Sequence, residues 1–418
     1  MNLNKSGVAA AAVLMLIGSL PASAQDSSIY VQCPQDEGTA LHPPGDPAIK
    51  CDHLMAGDGM VTMADGYPQY IFSFARAPLP GVDGAPLDPN DYASWIMQQG
   101  ILAANAPAPT IVVDEDDELF LSLTNVGMTM RPDLFDPHTV HWHGFPQASA
   151  IFDGVPDSSV SVNMGATLTY YYNAKDAGTY MYHCHVEATE HMQMGMLGNL
   201  FVRPRQNRLA AGDLNGFAHT PWDEATQTGN RYAYNDGDGS TAYDVEFPIQ
   251  IGSFDPDFHD ASLNVQPLPF AGMNDRYFLL NGRGYPDTAK AEVMMTDGRE
   301  SQPVSSLVTA QPGQRILLRI SNLNITRFYT LGTNGLPMEV VGLDARLLRD
   351  DAGKNMYYKT NSLTLGGGQS ADVIITAPDE VGTYFLYTQN LDQLANNNEN
   401  FGGMMTEIRI AAATTPTP

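Results

Sequence analysis

The 418 residues carry 47 acidic against 21 basic side chains, a formal charge of −26. Such a field repels phosphate backbones and anionic lipid surfaces, which excludes nucleic acid and membrane-surface binding; it attracts cations and metal ions and keeps a chain soluble. The length gives two or three domains with ample chain for buried cores.

In chain order, residues 1–24 read as an export signal. Lys5 supplies a positive start, residues 8–16 form an apolar run, and Ala22-Ser23-Ala24 before Gln25 fits a small-residue cleavage site. The apolar run is too short to span a bilayer, so a periplasmic or secreted protein is expected, one charge unit more negative once Lys5 is lost. Residues 25–60 look like an irregular arm rich in Pro and Gly. Cys33 and Cys51 lie in it and, in an oxidising compartment, are expected to form a disulfide. The third cysteine, Cys184, is then a free thiol, for which metal ligation supplies a reason.

Residues 61–205 are predicted to form a first β domain. Leu119, Leu121 and Leu123 alternate on one face, and strands are predicted at 167–172 and 179–183, separated by the turn signal Asp176-Ala177-Gly178. Tyr170, Tyr171 and Tyr172 alternate between core and surface. Residues 206–245 are a polar, Gly- and Asp-rich connector. Residues 246–412 form a second β run, with strands at 276–282, 314–321, 370–376 and 382–387, and 413–418 read as a tail. Short punctuated strands with almost no helical periodicity imply an all-β protein of two Greek-key β-sandwich domains.

The chemistry is concentrated between 138 and 196. His138, His141, His143, His183, His185 and His191 are six of the ten histidines, and Cys184 and Met196 fall among them. Successive side chains on a strand point to opposite faces. An extended segment through 185 therefore sends His183 and His185 to one face and Cys184 to the other. On the sulfur side, His191 and Met196 lie on a loop able to fold back, and His138 is the candidate third equatorial ligand. Imidazoles, a thiolate and a weak axial thioether are the donor set of a blue (type 1) copper. Met192 and Met194 are expected to pack around that site and Trp142 beside it. His141 and His143 share a face and can join His183 and His185 around further copper. Glu187 and Glu190 border the site on a solvated loop.

His141-Trp142-His143-Gly144, Asp153-Gly154-Val155-Pro156 and the run from Gly178 to His185 resemble the copper-binding face of the multicopper oxidase (laccase-like) family. The spacing from His183 to His191 is similar to that of two-domain members with blue copper in the N-terminal domain. The resemblance is specific over 100–205. It is weaker over 246–412, where Leu280-Asn281-Gly282-Arg283, residues 315–322 and residues 366–372 look like a domain without copper ligands. It implies two cupredoxin-like domains. It implies that His138, Cys184, His191 and Met196 are type 1 ligands, that His141, His143, His183 and His185 are type 2 and type 3 ligands, and that Asp153 assists proton delivery. A complete trinuclear cluster in the family uses eight histidines as four His-x-His pairs from two domains. This chain offers two pairs, and His42, His53, His219 and His259 stand isolated and read as structural. Three outcomes stay open: completion by a second copy in a homo-oligomer, which is favoured, completion by a partner chain, or no full cluster.

The leading functional expectation is an exported copper oxidoreductase. It would oxidise a phenol, a metal ion such as Cu(I), Fe(II) or Mn(II), or a redox protein one electron at a time at type 1 copper, and reduce oxygen to water at the inner coppers. The alternatives are a blue-copper electron carrier or copper-binding protein with an incomplete inner site, and a copper nitrite reductase. The last family needs an Asp where His141 stands and a further histidine from a neighbouring domain.

Overall fold

The computed structural model describes residues 31–34, 48–214 and 216–412. The expected export signal, His42 and the tail 413–418 lie outside the described residues. Among those described, no helix is long and apolar enough to cross a membrane.

The chain is dominated by strands. Those of the first half are β1 (Ile49–Thr62), β2 (Pro68–Arg76), β3 (Ala108–Asp114), β4 (Glu118–Gly127), β5 (His141–His143), β6 (Thr167–Asn173), β7 (Gly178–His183) and β8 (Leu197–Arg203). They form two four-stranded sheets, ordered β2-β1-β4-β6 and β3-β8-β7-β5. The sheets enclose one apolar core, in which Leu119, Leu121 and Leu123 from β4 meet Trp142, Tyr180 and Tyr182 from the second sheet. Trp142 stacks on Tyr172 with ring centres 3.9 Å apart. Tyr170 and Tyr172 are buried and Tyr171 is half-buried, the alternation a sandwich strand requires.

Two features depart from the sequence reading. Much of the expected irregular arm is strand: β1 begins at Ile49 and runs between β2 and β4, antiparallel to the first and parallel to the second. Its glycines gave it the look of a loop, but they are packing devices. A Cβ on Gly59 would lie 3.2 Å from Ala104, and one on Gly57 would lie 2.8 Å from Val126, so the covering segment can approach only bare backbone. The second is a helix, α1 (Pro89–Gln99). It is opened by the Asp88 cap, whose carboxylate accepts from the Asn90 and Asp91 N–H groups, and it buries Tyr92 and Ile96. The disulfide between Cys33 and Cys51 is present.

Residues 206–245 carry short two-stranded ribbons, 212–214 with 217–219 and 231–232 with 242–243. The second half is another sandwich, with one sheet built around 245–254, 315–322, 369–376 and 338–343 and the other around 405–410 and 382–388. Its core is separate from that of the first half.

The two sandwiches meet through an apolar cluster, with Val61, Met63 and Ile71 against Phe254, Tyr277 and Leu279, and through polar contacts. Arg319 is fully buried, 2.6 Å from Glu246 and 3.2 Å from Asp372. Burial opposes ionisation of Glu246, but Arg319 and Arg203 hold its pKa down at about 2. Asp372 accepts from Thr179 of β7 at 2.5 Å, and the Ser370 hydroxyl donates to the Thr179 carbonyl at 2.6 Å. Ser321 donates to the Asn199 side-chain oxygen at 2.7 Å. Every residue of β7 is therefore buried. Tyr180, Tyr182 and Cys184 point into the first core, whereas Thr179 and His183 point toward the second domain.

Candidate metal centre

β5 and β7 pair antiparallel with His141 directly opposite His183. His141, Trp142 and His143 alternate, so Trp142 enters the core while both histidines share the face of His183. The strand ends at His183, and the chain continues through Cys184 and His185 into α2 (Ala188–Met194). The His183 and His185 rings remain 5.5 Å apart and stacked, and the His141 ring lies 5.2 Å from the first and 5.1 Å from the second. All four imidazoles line one cavity of about 510 Å³. His141, His143 and His183 bring ligand atoms within 4.8 Å of one another.

The ring orientations follow from local hydrogen bonds. His141 Nδ1 donates to the Asp153 backbone carbonyl at 2.5 Å, with the Asp153 carboxylate 3.4 Å away. His183 Nδ1 donates to the Cys184 carbonyl at 2.9 Å. Each bond leaves Nε2 as the lone-pair nitrogen, the second contact by which proteins aim a metal-binding imidazole. Burial drives the His183 pKa down to about 3, with the neighbouring His141, His143 and His185 adding to it. The ring is thus neutral and ready to ligate at neutral pH.

On the core side of Cys184 a second group converges. His138, Cys184 and His191 are all buried and bring their ligand atoms within 4.8 Å. The sulfur is 3.8 Å from His138 Nδ1 and 3.2 Å from His191 Nδ1. His138 is fixed by a bridge to Val162. His191 sits on α2, which turns back through Gly195 at φ 114°. That turn sets Met196 beside the cysteine: the Met196 N–H donates to the His191 carbonyl at 2.8 Å, and the Cys184 N–H donates to the Met196 carbonyl at 3.1 Å. Met194 and Met196 are fully buried in the same core cluster as Cys184. Burial, then the His191 charge, holds His138 well below its usual pKa. Burial opposes protonation of His191 too, but the Cys184 sulfur and Asp136 raise it to about 10. Three soft donors facing one another in a dry pocket fit copper, and Cys184 with His138 and His191 would hold it.

The sequence reading missed several neighbours. The Thr139 N–H points at the Cys184 sulfur at 3.5 Å and its hydroxyl accepts from the His185 N–H at 3.1 Å; its place between two ligand histidines was the available signal. Asp136 lies 3.8 Å from His191 Nε2 and groups with Glu187. His259, on α3 (Pro256–Leu263), reaches from the second domain to the Tyr70 carbonyl at 2.5 Å and the Gln193 carbonyl at 3.0 Å. Like buried His53 and His219, it stands outside both groups.

Two family models described as multicopper oxidase match the chain, at residues 96–207 and 259–408. Laccase-3 of Botryotinia fuckeliana is 26% identical over 316 residues, covering 74% of this chain and 57% of that protein. Multicopper oxidase MCE of Talaromyces pinophilus is 35% identical over 103 residues, 24% of this chain and 16% of that protein. The chain thus spans less than two thirds of the length of either relative. Among solved structures, the blue copper oxidase from Nitrosomonas europaea superposes with a TM-score of 0.58 at 20% identity, covering 87% of this chain and 86% of that one. The multicopper oxidase mgLAC superposes with a TM-score of 0.60 at 19% identity, covering 88% of each. These two share the fold.

Proposed function

The chain belongs to the multicopper oxidase family, and from that membership we propose a copper-dependent oxidoreductase that takes single electrons from an outer-sphere reductant and passes them to oxygen. The observation that carries this reading is the segment His183-Cys184-His185, whose sulfur faces His138 and His191 while its imidazoles face His141 and His143. Copper bound at the two groups would supply one-electron redox chemistry and oxygen reduction. The protein's part is geometric and electrostatic. Cys184 and its neighbours join the two groups through a few covalent bonds. Thr139 directs an N–H at the sulfur. Phe72 packs edge-on against His191 and helps keep the pocket dry. Met196 would lend its thioether to copper held by Cys184, His138 and His191. The Asp153 carboxylate, beside His141, is assigned to proton delivery. The disulfide supports an exported protein, periplasmic or secreted.

Oxygen uptake by the copper-loaded protein, with a phenol or Fe(II) as reductant, tests this. Cys184→Ser should abolish both the blue absorption and the uptake. A blue, fully loaded chain that consumes no oxygen is an electron carrier instead.

A further inference from the structure

We propose that the inner site is walled by the second domain of the same chain and holds no more than two copper ions, all liganded by His141, His143, His183 and His185. This rests on the reading that those imidazoles bind copper, and it departs from the three-ion cluster that the family implies.

The argument begins with the alternation in β7. Cys184 points into the first core, so the His183 face must point the other way, and that way lies the second domain, tied to β7 through Thr179, Ser370 and Asp372. The cavity in front of the imidazoles is bounded opposite by Asn324, Thr326, Arg327, Gly367 and Gly368 among others. None of the second-domain residues lining it carries an imidazole, thiolate or carboxylate. Asp344, whose charge reaches His143, is committed to the Ser370 N–H at 3.0 Å. Arg327 adds a positive charge to that wall, which disfavours a further cation there.

The wall is also close. A Cβ on Gly368 would lie 2.5 Å from His143 Nε2, and this glycine has φ +87°. The second-domain backbone therefore lies against the Nε2 edge of the His143 ring, whose Nδ1 is the nitrogen that faces His183, at 3.4 Å from its Nε2. Four imidazoles, shared at two per ion, are exhausted by two ions.

The test is copper counting on the full-length protein, loaded with Cu(I) under argon, desalted and reoxidised. Copper per chain is measured by mass spectrometry, the blue ion by absorbance, and assembly state by light scattering over a dilution series. Two or three copper ions per chain, one of them blue and the count unchanged on dilution, is the expected result. Four per chain, inner copper that departs when an assembly dissociates, or a single blue copper overturns the proposal. Gly368→Ala should lower the inner copper count by about one half or more while the blue absorption stays. An unchanged inner count in a folded, blue Gly368→Ala protein removes the close-wall argument and with it the proposal. A chain with three copper ions and no oxygen uptake upholds the two-ion limit and ends the oxidase reading; one with four and brisk uptake does the reverse.

Discussion

At the scale of single residues, the two metal groups sit at opposite ends of the proton ledger. His183 is neutral at neutral pH because burial holds its pKa at about 3, whereas His191 in the copper-free protein keeps its proton up to a pKa of about 10 beside Cys184 and Asp136. Copper entering the sulfur-side group must therefore displace a proton from His191, and copper entering the inner group displaces none from His183. Potentiometric titration at pH 7 should register proton release with the rise of the blue absorption, and the affinity of that step should fall as pH falls. The linked stability has the matching signs. The raised pKa of His191 contributes stability to the copper-free protein that is full below pH 6.5 and lost as pH rises through about 10; the depressed pKa of His183 contributes stability present above 6.5 and lost as pH falls toward 3. Asp153 holds His141 through its backbone carbonyl, so Asp153→Asn should leave copper content and colour intact. If its carboxylate moves protons, oxygen turnover should drop by about 10²-fold, a loss readable at constant copper content.

At the scale of elements, the sulfur-side group depends on α2, a helix of 7 residues that cannot hold its position by itself. Its anchor is His259, which binds the Gln193 carbonyl from α3 and also meets Phe254 at 4.7 Å between ring centres. Replacing it removes the ring that lies between the Tyr70 and Gln193 carbonyls and the one N–H that the neutral ring can donate to them. His259→Ala should cost about 1–3 kcal/mol in denaturant unfolding and shift the blue absorption through movement of His191, while the inner copper stays. The tie between α2 and α3 joins residues 66 positions apart, which is why His259 read as an isolated histidine.

At the scale of the whole molecule, the buried ions between the sandwiches fix how the domains sit. Arg319 is balanced by Glu246 and Asp372, and Asp372 in turn holds Thr179 and Tyr234. Removing one charge of a buried set leaves the others uncompensated. Asp372→Ala should destabilise the protein by about 3–5 kcal/mol in equilibrium unfolding and should loosen inner copper, because second-domain residues wall the inner cavity.

How much could be read beforehand follows from the range of each interaction. The sequence alone indicated which side chains converge in the two groups and the strand that joins them, because the side-chain period of two on a strand is local and places Cys184 opposite His183 whatever lies beyond. It also determined the all-β class and the disulfide. The strand at Ile49–Thr62 escaped it, since glycines that admit a neighbouring segment look the same as glycines of a loop. Only the tertiary structure decided what stands opposite the inner histidines. That wall comes from residues 323–328 and 367–368, well over a hundred positions away, and is held against β7 by contacts of Ser370 and Asp372 with Thr179 that exist only once both sandwiches have formed.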